Sequence, residues 1–248
     1  MRYLILTDIH ANLEAFDACL ADATARGYDR ALVLGDLVGY GADPNAVVQR
    51  VQELDPAAIV RGNHDKVACG LEQAESFNAV AKRAVQWTLE VLTPEHREWL
   101  ASLPQGPTSV DHVVEICHGS PFDEDAYIFD ELDAVRALKT SVRPLCLFGH
   151  THYPVAFEVS EGRFDSLDPV VAADMRILSL RERSKYLVNP GSVGQPRDGD
   201  PRAAYAIADT GARRVELFRV RYAVEDAQAK VVQAGLPDVL AQRLAVGR

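Results

Sequence analysis

Residues 1–36 read MRYLILTDIHANLEAFDACLADATARGYDRALVLGD. Tyr3 to Leu6 is an apolar run of strand length, Leu13 to Ala25 carries an amphipathic helical pattern, and Ala31 to Leu34 is a second apolar run. The pattern then repeats, with a helix from Ala46 to Glu53 behind Pro44 and a third apolar run from Ala58 to Val60. Strand and helix alternating in this way predict a parallel sheet with right-handed crossovers. A helical stretch is expected from about Glu75 to Leu103, followed by short buried strands at Val113 to Cys117 and Leu145 to Phe148. Beyond residue 152, Val155 to Val159, Tyr186 to Val188, Ala204 to Ala208 and Arg214 to Val220 read as strands joined by glycine-containing turns, an antiparallel meander. Between them, Glu161 to Ser184 is rich in charge and reads as a solvated surface excursion, a projecting hairpin or lid being the alternative. Two helical patterns, 224–234 and 237–246, close the chain and are expected to pack either on the sheet or on a second subunit.

The whole chain has 248 residues, 48% of them hydrophobic and 25% charged, which excludes disorder and fibre. A chain of this length buries roughly 70 to 75% of its unfolded surface, so one domain over 1–248 needs no disulfide or structural metal. The formal charge is −10 with no basic cluster, which argues against stable nucleic-acid binding or attachment to an acidic membrane. Cys19, Cys69, Cys117 and Cys146 form no CxxC pair and read as buried thiols of a reducing compartment. Asp8 breaks the first apolar run too early for a secretory leader, and a cytoplasmic protein is expected.

Residues able to bind a metal fall at the carboxyl ends of the expected strands, where open α/β sheets place their ligands. Asp8 and His10 follow the first strand, Gly35-Asp36 the second and Gly62-Asn63-His64-Asp65 the third. His118-Gly119 and Gly149-His150-Thr151-His152 follow the next two, so that of seven histidines only His96 and His112 lie elsewhere. Imidazole suits Zn, Fe or Mn, carboxylate suits Mn and Mg, and one carboxylate can bridge two ions about 3.5 to 4 Å apart. Any one of these short motifs is common, and five in chain order are not.

As a set, Asp8-Ile9-His10-Ala11-Asn12, Gly35-Asp36, Gly62-Asn63-His64-Asp65, His118-Gly119 and Gly149-His150-Thr151-His152 resemble the five blocks of the calcineurin-like metallophosphoesterases. Asn189-Pro190-Gly191-Ser192 and the stretch to Arg197 resemble the bacterial branch, which includes phosphodiesterases and diadenosine-tetraphosphatase-like enzymes. One departure is Ala11, where many relatives have glycine, and a slightly tighter loop is expected there. The resemblance implies a four-layer α/β/β/α sandwich of two mixed sheets. It also implies two divalent ions (Mn, Fe or Zn, with Ni as a further candidate), one on Asp8, His10 and His152, the other on Asn63, His118 and His150, bridged by Asp36. A hydroxide shared by the ions would attack the phosphoester of a small molecule or nucleotide. Two divalent ions bring about +4 against about −3 from Asp8, Asp36 and hydroxide, which reconciles an acidic chain with an anionic substrate.

His64 would then stabilise the phosphoryl oxygens and protonate the leaving alkoxide, with Asp65 fixing its tautomer. Arg197 is either a phosphate contact or one half of an ion pair with Asp198 or Asp200. Asn12 either caps the helix that starts at Leu13 or reaches the substrate region through water. The expected reaction is phosphodiester hydrolysis. Dinucleoside polyphosphate hydrolysis, phosphomonoester hydrolysis and a catalytically silent metal-binding scaffold are the alternatives.

Overall fold

The computed structural model describes residues 1–167 and 174–248. Its first half follows the expected alternation: β1 (Arg2–Leu6), α1 (Leu13–Arg26), β2 (Arg30–Val33), α2 (Pro44–Leu54) and β3 (Ala58–Ile59). Next come α3 (Asn63–Cys69), α4 (Ala79–Val91), α5 (Pro94–Ala101), β4 (Thr108–Ser109), β5 (Val114–Ile116), α6 (Glu131–Thr140) and β6 (Leu145–Leu147). The second half holds β7 (Val155–Ser160), β8 (Arg163–Leu167), β9 (Met175–Ser179), β10 (Ser184–Asn189), β11 (Ala203–Asp209), β12 (Arg214–Val220), α7 (Val224–Gln233) and α8 (Asp238–Leu244).

These strands form two six-stranded mixed sheets, ordered β3-β2-β1-β11-β12-β9 and β4-β5-β6-β10-β7-β8. Side-chain alternation makes the layers. In β1, Tyr3 and Ile5 face the other sheet, where they meet Ile116, Leu145 and Leu147, while Leu4 and Leu6 pack against Phe16 and Val47 of the outer helices. In β6, Cys146 turns outward to Ala134, Ala137 and Leu138 of α6. Helices therefore cover the outer face of each sheet, and the arrangement is the expected α/β/β/α sandwich.

The expected helical stretch from Glu75 to Leu103 is two helices. Thr93 accepts a hydrogen bond from His96 N at 3.3 Å, and Pro94 takes the first position of α5, so a new helix starts where a single one was expected. The meander is also divided. β7 and β10 pair antiparallel in one sheet, β11 and β12 in the other, and the turn after Asn189 carries the chain between them. Within the charged segment, β8 extends one sheet beside β7 and β9 extends the other beside β12. The expected surface excursion is therefore largely edge strand, and the part of the lid reading that falls on 168–173 lies outside the described residues. The C-terminal helices and their connection pack through Val231, Leu236 and Leu240 against Tyr40, Ala81 and Ala84 rather than on a sheet.

Candidate dinuclear metal site

The carboxyl ends of β1, β2 and β3 from one sheet and of β5 and β6 from the other meet at one end of the inter-sheet seam. The loops leaving them carry Asp8, His10, Asp36, Asn63, His118, His150 and His152, and of these Asp8, His10, Asp36, His118, His150 and His152 are buried. Donor atoms of Asp8, His10, Asp36 and His152 lie within 4.8 Å of one another, as do those of Asp36, His118 and His150. Asp36 belongs to both groups. Asn63 Oδ1 is 3.2 Å from His118 Nε2, on the second group.

The hydrogen bonding of the four imidazoles prepares them to bind a cation. Nδ1 of His10, His118 and His152 is bonded to the carbonyls of Val38, Leu34 and Gln195 at 3.1, 2.8 and 2.7 Å, and Nε2 of His150 to that of Asp125 at 3.1 Å. A carbonyl only accepts, so each of these nitrogens is the protonated one and the opposite nitrogen is left to bind. Those opposite nitrogens face each other: His10 Nε2 and His152 Nε2 at 3.0 Å, His118 Nε2 and His150 Nδ1 at 3.1 Å. Burial lowers the pKa of His10 and His152 well below the ordinary value and that of His150 to about 3, keeping these rings neutral as ligands must be. In His118 burial acts the same way but the adjacent Asp36 carboxylate outweighs it, pushing the ring up to about 10. A cation held there would take the place of that proton. Burial, with Asp36 nearby, likewise pushes Asp8 up to about 7 against the opposing pull of His118. Two buried carboxylates and paired imidazole nitrogens are donors of the kind that would hold two divalent ions, and the residues fit that group.

The backbone is strained to make this arrangement. Asp8, His10, Ala11, Asp36, His150 and His152 all have φ between 50° and 68°, left-handed geometry that costs side-chain-bearing residues about 1 to 2 kcal/mol each. Ala11 is thus held in a glycine-like conformation, more than a slight tightening of its loop. Surrounding bonds hold the strained turns in place. His10 N and Ala11 N donate to Asp36 O and Leu37 O, and Gly194 N and Ser192 Oγ both donate to Asp8 O. Asn189 Nδ2 donates to Gly149 O at 2.7 Å. Asn189 and Ser192 therefore build the metal loops from a remote part of the chain. Two glycines permit close approach: a Cβ on Gly62 would collide with the Asp36 carboxylate, and one on Gly149 would lie 2.8 Å from Asp8 Oδ2.

His64 lines a cleft of about 310 Å³ beside the second group, together with Asn63, Phe77, Tyr127 and His150. Its amide donates to Asp36 Oδ1 at 2.9 Å, and its ring packs on Tyr40 and Phe77 at 4.4 and 4.5 Å. Asp65 does not orient that ring. Its Oδ1 accepts from Leu37 N and Val38 N and its Oδ2 from Gly62 N, so the carboxylate braces the loop that carries Asp36. His64 Nδ1 is buried against Gly39 without a hydrogen-bond partner among the described residues. An unpaired lone pair is tolerated there better than an unpaired N–H, which puts the ring proton on Nε2.

Asn12 is a cap and not a substrate contact: its Oδ1 accepts from Ala15 N at 3.1 Å and its Nδ2 donates to Gly194 O at 2.9 Å. The ion pairs weighed for Arg197 do not form, because Asp198 is paired with Arg219 and Asp200 with Arg202. The Arg197 guanidinium instead lies 5.8 Å from the Tyr40 ring centroid and donates to Gln195 Oε1.

Aromatic and charged residues surround this centre. Tyr127 stacks on His150 at 3.8 Å and Phe129 on Tyr127 at 4.8 Å, a ladder leading from the buried histidine to solvent. Lys66 holds the loop that carries them, with Nζ 3.2 Å from Glu124 and 2.5 Å from Asp125. These residues come from loops with no periodic or motif signal, so only folding brings them together.

The model of the calcineurin-like phosphoesterase superfamily domain matches residues 1–213. The chain belongs to that superfamily, whose members hydrolyse phosphoesters. It is 36% identical over 249 residues to an uncharacterised protein of Methanocaldococcus jannaschii, covering 98% of this chain and 97% of that one. A metallophosphoesterase from Sphaerobacter thermophilus is 40% identical with a TM-score of 0.86, over 100% of this chain and 99% of the other. A Pyrococcus horikoshii protein shares the fold, at 20% identity and a TM-score of 0.79 over 100% and 98% of the two chains. No helix among the described residues is long and apolar enough to cross a membrane.

Proposed function

We propose that the protein is a phosphodiesterase dependent on two divalent ions, acting on a small-molecule or nucleotide substrate. Asp8, His10, Asp36 and His152 would hold one ion, and Asp36, Asn63, His118 and His150 the other. The observation that carries this reading is the pairing of inward-turned imidazole nitrogens around a carboxylate common to both groups. When bound, such ions act as Lewis acids toward a phosphoryl oxygen and lower the pKa of water.

The chain's own residues do the rest. Neutral His64 presents its Nε2–H to the cleft, where it can donate to a phosphoryl oxygen. Burial sets the second protonation of that ring at about 4, so the negative charge of the substrate must draw the extra proton that an alkoxide leaving group needs. Arg197 supplies a guanidinium for a non-bridging oxygen.

Two hollows meet at Tyr40, Asn78 and Tyr127, one containing His64 and the other Arg197. A phosphate carrying two substituents can lay one in each, which favours diesters over monoesters. The Tyr127–Phe129 ladder, with Phe129 74% exposed, offers a face on which a nucleobase stacks.

Purified, manganese-loaded protein should therefore turn over an aryl phosphodiester at least tenfold better than the corresponding monoester. Preference for the monoester would overturn the diester reading, and no turnover of either by protein shown to hold two metals would favour the scaffold. Gly62→Ala, by displacing the Asp36 carboxylate, should lower bound manganese from two toward one or fewer per chain, as read by elemental analysis of dialysed protein. Full retention of both ions would show that Asp36 moves without cost.

A further inference from the structure

The hollow that contains Arg197 has a volume of about 780 Å³, and its far wall is the C-terminal segment Val239, Gln242, Arg243, Val246 and Arg248. Arg197, Arg243 and Arg248 all line it and no acidic residue does, in a chain whose net charge is −10. Neither Arg243 nor Arg248 forms an ion pair with any described residue, whereas Arg202 is matched to Asp200 and Lys230 to Asp43. The arginines are also well placed. α8 is anchored by buried Leu240, Ala241 and Leu244, and the residues it packs on include Tyr40, which itself lies 4.7 Å from His10 and 4.4 Å from His64. The hollow thus adjoins, at Tyr40, Asn78 and Tyr127, the cleft that holds Asn63, His64 and His150. The match to the family model ends at residue 213, so this wall lies outside the matched residues.

We infer that Arg243 and Arg248, across the hollow from Arg197, form a second anion subsite, which selects phosphodiesters bearing a further phosphate group on one substituent. The inference rests on the phosphodiesterase reading and names the part of the substrate that the metal groups do not touch. Unpaired guanidiniums against an aromatic wall bind a phosphate by two-pronged, charge-assisted hydrogen bonds, and a lining without acidic side chains leaves them available for it. A single charged contact of this kind, made equally in ground and transition states, acts on KM more than on kcat.

Two substrates that differ by one phosphate test it: thymidine 5′-(p-nitrophenyl phosphate) and the same ester carrying a 3′-phosphate. The manganese-loaded protein should prefer the 3′-phosphorylated ester at least tenfold in kcat/KM, mainly through KM, with the preference shrinking as salt is raised. In Arg243→Gln the preference should fall below threefold, Arg248→Gln should lower it partially, and Arg243→Lys should recover part of it. Wild-type protein that hydrolyses both esters with equal kcat/KM overturns the subsite and leaves the phosphodiesterase reading standing. A preference that survives intact in Arg243→Gln removes Arg243 from it. Hydrolysis of neither ester overturns the phosphodiesterase reading, and the subsite with it.

Discussion

Asp36→Asn should reduce turnover of an aryl phosphodiester at least a thousandfold, the loss of about 4 kcal/mol of transition-state stabilisation. Asp36 is shared by both groups, with Oδ2 3.5 Å from His10 Nε2 and 3.4 Å from His118 Nε2. Asparagine keeps the size of the side chain and an oxygen for His64 N to bond, so the loops need not move. What it removes is the negative charge that holds two cations close together. Metal analysis after dialysis should show one ion or fewer per chain, against two in the wild type. Near-normal turnover with two ions retained would rule out a bridging role, since a neutral amide is a poor bridge between divalent cations.

His64→Ala should divide substrates by their leaving groups. Hydrolysis of an alkyl phosphodiester is expected to fall by about a thousandfold, within the range for loss of a general acid, and that of an aryl ester by about tenfold. A phenolate leaves without a proton, whereas an alkoxide does not. An acid must be protonated to act, so the wild-type rate on the alkyl ester should decline toward high pH, and that limb should be absent from the variant. Metal content should be unchanged, because His64 Nδ1 faces Gly39 and its ring lies outside both ligand groups. Equal losses on the two esters would limit His64 to hydrogen bonding of the phosphoryl oxygens.

Much of the centre was legible because metal ligation needs a few residue types at strand ends, and strand ends can be read from apolar runs. Asp8, His10, Asp36, Asn63, His118, His150 and His152 were all found that way, and they converge. Asp65 was assigned to His64 on the family resemblance. In the folded chain its three hydrogen bonds go to backbone amides, which a sequence cannot show since any residue offers them. Asn12 was legible only as an alternative: an asparagine before a helix suits a cap, and the bonds to Ala15 and Gly194 account for its amide. The mixed pairing of β10, parallel to β6 and antiparallel to β7, could not be read either, because an apolar strand of this length carries no mark of its neighbours' direction.

The sequence by itself determined the α/β alternation, the five blocks of candidate ligands and the phosphoesterase superfamily, since each is a local pattern of residue types along the chain. Tertiary structure alone decided which imidazole nitrogen is free, how the left-handed turns at Asp8 and Asp36 are held, and which arginines face the hollow. These depend on carbonyls, amides and carboxylates supplied from distant segments, such as Gln195 for His152 and Asp198 for Arg219. Hydrogen-bond partners and unmatched charges are properties of position in space, and only the folded chain sets them.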